Sequence, residues 1–211
     1  IKCSQEVDLN KFAGMDCYVG VDLAATSDLT AVAYLVVLDG TYHFKTHYYL
    51  PESALKDKAD KELYKYWKQQ GYLTVTSGNV TDYDYITTDM LRYADVVNIQ
   101  SVGYDKYNAT QWAIDSTEQG LPLEEYPQTL GNFNMPTREL ERLILSGKAV
   151  IDNNEINRYC FRNVTLKSDY NGNVKPNKAV DKKKIDGTIA MIQALGMYLR
   201  TPHYTNEILT I

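Results

Sequence analysis

The chain has 211 residues, enough for one domain with a substantial core, and its 44% hydrophobic and 23% charged content excludes a disordered or fibrous protein. A formal charge of −5 argues against a general nucleic-acid binder unless basic residues are concentrated locally, and the longest apolar run, residues 31–38, is too short to cross a bilayer. Three scattered cysteines make neither a disulfide framework nor a zinc motif and point to a reducing compartment, and the short apolar run leads us to expect no membrane partner.

Residues 1–16 are polar, show no sustained period and hold no apolar stretch of signal-peptide length, so they read as a lead-in or linker. Residues 17–22, 30–38 and 42–49 carry strand patterns, and Asp39-Gly40 between the last two is a two-residue hairpin signal. Past Pro51 the period turns helical, with Leu55, Ala59, Leu63, Tyr66 and Trp67 in a stripe that runs to Gln70 and stops at Gly71. Residues 72–76 suggest a short strand, and Thr81 or Asp82 caps a helix reaching about Val97. A buried strand follows over residues 99–105, then a helix over 109–119 and a short strand over 123–126. Pro136 predicts a helix start, with residues 137–145 helical and Gly147 as the stop. Residues 155–164 read as helix, and residues 166–169, the Asn171-Gly172 turn and Val174 as a polar hairpin. The last element is a helix over residues 184–199, with Ile185, Ile189, Ile192, Gly196 and Leu199 on one face. A hairpin block followed by alternating strands and helices predicts one α/β domain over residues 17–200, a mixed central β-sheet flanked by helices on both faces, and a tail over 201–211.

The acids at the strand ends carry the chemistry. Asp22 and Asp105 each close a strand, and each follows a glycine two residues earlier, Gly20 and Gly103. Strand side chains alternate, so each glycine shares a face with its aspartate and lets another backbone approach there. The terminal helix opens Ile185-Asp186-Gly187, with the small residues Ala190 and Ala194 beyond, and is the candidate to approach. Asp22, Asp105 and Asp186 are therefore expected to converge at one sheet edge. Three carboxylates repel unless cations bind, and an all-oxygen set suits Mg2+ or Mn2+ with no histidine or cysteine cluster competing. Two such ions about 4 Å apart can activate a water and stabilise a leaving oxygen in phosphodiester hydrolysis. Asp28 either caps the turn at residues 24–27 or adds an outer carboxylate, the turn being slightly favoured. Residues 175–184 hold five lysines against one aspartate; Lys178, Lys182, Lys183 and Lys184 are candidate DNA-phosphate contacts, the plainer alternative being a solvated loop. The 18 tyrosines are spread along the chain and read as packing rather than as a platform for bases.

In this setting Tyr18-Val19-Gly20-Val21-Asp22-Leu23, Asp28-Leu29-Thr30-Ala31, Val102-Gly103-Tyr104-Asp105 and Lys184-Ile185-Asp186-Gly187, with Ala190 and Ala194-Leu195, resemble the nuclease domain of tailed-bacteriophage large terminase subunits. The segments come in that family's order and span residues 17–199. The resemblance implies a ribonuclease H-like fold and a metal-dependent DNA endonuclease that cuts concatemeric viral DNA to start and finish genome packaging. It places the catalytic acids at Asp22, Asp105 and Asp186, and DNA-guiding elements at the hairpin and the lysines after it. It also implies double-stranded DNA, an N-terminal ATPase motor, a portal and a small terminase subunit as partners, in the host cytoplasm. This chain contains no Gly-x-x-x-x-Gly-Lys-Ser/Thr loop, so no ATPase site is ascribed to it. Two enzymatic alternatives remain open, an actin-like ATP-binding domain and another ribonuclease H-like nuclease such as a resolvase or transposase core. The non-enzymatic alternative is a docking module that has kept the fold.

Overall fold

The sheet grows outward from a central strand that is apolar on both sides. In a computed structural model that describes residues 3–24, 28–56, 60–107, 109–180 and 183–202, the chain opens with the short strand β1 (Ser4–Gln5) and a 3-10 turn at Leu9–Phe12. The Asp8 side chain caps that turn by accepting from the Asn10 backbone N–H. Strands β2 (Asp16–Asp22), β3 (Thr30–Leu38) and β4 (Thr41–Pro51) then run antiparallel in sequence. Asp39 and Gly40, both at positive φ, make the tight turn between β3 and β4 as the sequence predicts.

The remaining elements alternate: α1 (Lys61–Gln69), β5 (Thr74–Thr76), α2 (Tyr83–Ala94), β6 (Asn98–Tyr104), α3 (Thr110–Glu118), β7 (Leu123–Glu125), α4 (Leu130–Leu145), β8 (Ala149–Asp152) and α5 (Glu155–Arg162). The hairpin β9 (Val164–Ser168) and β10 (Val174–Lys178) leads to the terminal helix α6 (Asp186–Arg200). Strand order is β1-β8-β4-β3-β2-β6-β7, with β5 also on β4; only β2, β3 and β4 pair antiparallel in this mixed sheet. The side chains of β3 alternate between two cores. Ala31, Ala33 and Leu35 face α6, α4, α5 and α1, while Val32, Tyr34 and Val36 face α2 and α3. The expected mixed sheet with helices on both faces is the one observed.

Several details differ from the sequence reading. Residues 4–12 are part of the folded body, because β1 pairs with β8 and Val7, Leu9 and Phe12 are buried. Their apolar residues are too few to show a period, yet all three are buried in one core cluster. Strand β8 was not anticipated; it lies directly after the Gly147 stop of α4 and before α5, and its pairing with β4 and β1 is made by segments distant in the chain. Pro136 does not start a helix. It lies inside α4, which Thr129 caps by accepting from the Asn132 N–H. Proline has no N–H for the Asn132 carbonyl four residues back, and the Tyr126 hydroxyl donates to that carbonyl instead at 2.7 Å. Ala59, the turn at residues 25–27, Lys182 and the tail beyond residue 202 lie outside the described residues.

Candidate active site

The geometry begins with strand register. β2 and β6 run parallel with Gly20 opposite Gly103 and Val21 opposite Tyr104, so Asp22 and Asp105 leave the sheet side by side. Adjacent strands lie about 4.8 Å apart, which sets the spacing of the two backbones. Helix α6 crosses this part of the sheet in direct contact. A Cβ on Gly20 would overlap the Ala190 carbonyl oxygen and the Ala194 nitrogen, and one on Gly103 would overlap the Met197 side chain. The paired glycines thus bring in the terminal helix, as the sequence predicts, and deliver Asp186 at its first residue to the same edge.

Electrostatics joins the acids. Burial pushes the Asp22 carboxyl well above the usual carboxylate range, and the negative charge of Asp186 pushes further, with Asp28 adding to it. A Gln128 hydrogen bond and Lys178 pull in the opposite direction. Burial, then the charge of Asp28, raises Asp186 to about 6, against a backbone hydrogen bond, Lys178 and Lys184. Asp186 is 8% exposed, and its Oδ2 is buried without a hydrogen-bond partner among the described residues. Beneath it the floor is neutral: the Tyr48 hydroxyl donates to Asn157 Oδ1 at 2.6 Å, and burial holds the Cys160 thiol up at about 12.

Asp105 is held differently. Its Oδ1 accepts from the Tyr107 N–H and its Oδ2 from the Gln128 N–H, both at 2.9 Å. The Gln128 side chain reaches on to Asp22, its Nε2 donating to Oδ1 at 3.0 Å. Asp28 sits at the rim in an ion pair with Lys184, and its Oδ1 also accepts from the Leu29 N–H at 3.1 Å. Its charge acts on both Asp22 and Asp186, which puts it close to these carboxylates, while residues 25–27 of the turn it is expected to cap lie outside the described residues.

The lysine strip is divided by the fold. Lys178 and Lys184 lie beside the carboxylates, Lys175 Nζ donates to the Gln128 carbonyl at 3.2 Å, and Lys183 stands 5.6 Å over the Tyr159 ring. Among the described residues no group of three or more acids, histidines or cysteines closes into a cage able to hold an ion alone. Buried Asp186, with one oxygen unpartnered among the described residues, beside half-buried Asp22 still fits Mg2+ or Mn2+, since such ions keep several waters and need only one or two carboxylates plus phosphate oxygens. Sequence reading missed Gln128. The signal near it was Pro127 followed by the helix cap Thr129, and nothing local points to a partner 106 positions away.

Comparison with known proteins agrees with this outline. The family model for "Terminase large subunit, endonuclease domain" matches residues 3–201. Protein YmfN of Escherichia coli (strain K12) is 31% identical over 210 residues, covering 91% of this chain and 45% of that protein. The large terminase subunit of Enterobacteria phage HK97 is 28% identical over 184 residues, covering 85% of this chain and 36% of that protein. A crystal structure of the HK97 large terminase superposes with a TM-score of 0.82 at 26% identity, over 92% of this chain and 41% of that one. The large terminase nuclease of thermophilic phage G20c, crystallised with bound magnesium, shares the fold with a TM-score of 0.58 at 12% identity, over 86% of this chain and 80% of that one. The fold is ribonuclease H-like, and the chain spans less than half the length of the curated relatives it matches.

Proposed function

Because the chain belongs to the terminase large subunit endonuclease domain family, we propose that it is a divalent-metal-dependent endonuclease acting on double-stranded DNA during viral genome packaging. The observation that carries this reading is the pairing of half-buried Asp22 with buried Asp186 at the sheet edge, both carboxyls raised and one Asp186 oxygen without a hydrogen-bond partner among the described residues. Burying two like charges without a counter-ion is costly, and a hard cation removes that cost. Asp22 and Asp186 would hold the metal, with Asp105 beside Asp22 and Asp28 as an outer carboxylate tied to Lys184. When bound, one or two Mg2+ or Mn2+ ions would supply an activated water and charge compensation at the leaving oxygen.

The chain's own residues do the positioning. Lys178 and Lys184, beside the carboxylates, and Lys183 would contact DNA phosphates, with Lys182 next to them in the sequence; such contacts hold the backbone without reading bases. The same reading makes an N-terminal ATPase motor, a portal and a small terminase subunit its partners in the host cytoplasm, consistent with the larger size of its relatives.

Plasmid cleavage tests the proposal. The purified chain is expected to nick or linearise supercoiled DNA with Mn2+ or Mg2+ and to stop when EDTA is added. Asp22→Asn and Asp186→Asn should each lower the rate at least about a hundredfold with the fold retained, in line with the loss of a metal-binding carboxylate. Full cleavage by a folded Asp22→Asn protein would sink the site assignment.

A further inference from the structure

We propose that Gln128 is a positioning residue that presets Asp22 for the metal, an inference that rests on the metal-site reading above. The chain leaves β7 through Tyr126, whose N–H donates to the Tyr104 carbonyl at 2.7 Å, and then crosses the ends of β6 and β2. Gln128 sits on that crossing. Its backbone N–H binds Asp105, its side-chain amide binds Asp22, and its carbonyl accepts from Lys175 of the hairpin. One residue therefore ties together two strand-end acids and a lysine that lie far apart in the chain.

The orientation of the amide suits the metal-binding state. A carboxylate that ligates a cation is ionised and can only accept, so the Gln128 nitrogen, which faces Asp22 here, is the group that can hold it. A carboxylate bonded at Oδ1 loses rotation about its last torsion, and its second oxygen is presented in one direction. With that ordering already in place, a cation binds without having to arrest the side chain first. Partners that orient metal-binding side chains in this way typically govern affinity or activity by 10–100-fold. The backbone bond to Asp105 does not depend on the side chain at position 128, so the Asp22 bond can be removed alone.

Gln128→Met removes it while keeping length and approximate volume. The measurement is Mn2+ affinity of the DNA-free protein, read from the electron paramagnetic resonance signal of free Mn2+. The expected result is a Kd raised about 10–100-fold, a metal-free Tm within about 2 °C of wild type, and cleavage that recovers to within about threefold at saturating Mn2+. An unchanged Kd in Gln128→Met, with wild type binding Mn2+ and Asp22→Asn not, overturns the role of Gln128 and leaves the metal site standing. A weaker Kd together with a Tm lowered by more than about 5 °C marks Gln128 as structural and also overturns it. Wild type that binds no Mn2+, or Asp22→Asn that binds as tightly, overturns both readings.

Discussion

Asp186 links the chemistry of the site to stability. Its carboxyl is raised from an ordinary 3.8 to about 6, so between those values the folded protein holds a proton that the unfolded chain has released. Stability of the metal-free protein therefore falls as pH rises through this window and stays low above it, at a cost of about 3 kcal/mol by linkage. Asp22 is displaced in the same direction. In EDTA the Tm should drop between about pH 4 and pH 6, and Asp186→Asn should flatten that drop and raise the Tm at pH 7. Mg2+ should raise the wild-type Tm more at pH 7 than at pH 5, because protons compete with it. A thermal scan in which Asp186→Asn keeps the wild-type slope assigns the effect to other groups. The three acids were legible in the sequence because each carries a local mark, a strand end after Gly-x or a helix start. Asp28 beside Lys184 and Gln128 beside Asp22 carry no such mark, since both placements arise from chain crossings.

At the scale of elements, the contact of α6 with β2 is the one on which the site depends. Gly20 has no room for a side chain, and the atoms it would meet are helix backbone, which cannot swing aside. Gly20→Ala should cost about 1–3 kcal/mol or more and displace Asp186, so both the Tm and the cleavage rate should fall. Gly131 in α4 is the control: open space surrounds it, and Gly131→Ala should raise stability by about 0.5–1 kcal/mol. Equal Tm changes for the two substitutions would refute the packing account. The sequence foresaw the Gly20 contact because paired glycines on one sheet face have few other uses. It misplaced the start of α4, because a proline is a reliable start signal only when no distant hydroxyl serves the carbonyl it leaves free. Tyr126 serves that carbonyl, and its ring also lies 4.1 Å from the Arg200 guanidinium.

At the scale of the whole molecule, the opening segment is the test of where the domain begins. Val7, Leu9 and Phe12 are buried at 2%, 2% and 7% exposure, and the Val7 N–H donates to Asp152 Oδ1 at 3.0 Å. Three such side chains contribute roughly 4–9 kcal/mol, against a total stability of about 5–15 kcal/mol for a domain. Deleting residues 1–12 is therefore expected to leave a protein without a cooperative thermal transition. A deleted protein that melts within about 3 °C of the intact one would return those residues to the status of a linker.

The sequence by itself determined the alternation of strands and helices, the acids at three element ends and the family to which they point. Those signals are local: periodicity, turn residues and the small residues that allow close approach. Only the tertiary structure decided that Ser4–Gln5 add an edge strand and Val7, Leu9 and Phe12 pack into the core, that Lys184 is engaged by Asp28, and that Gln128 spans Asp105 and Asp22. Each of these is a meeting of segments distant in the chain, made by the order of strands in the sheet.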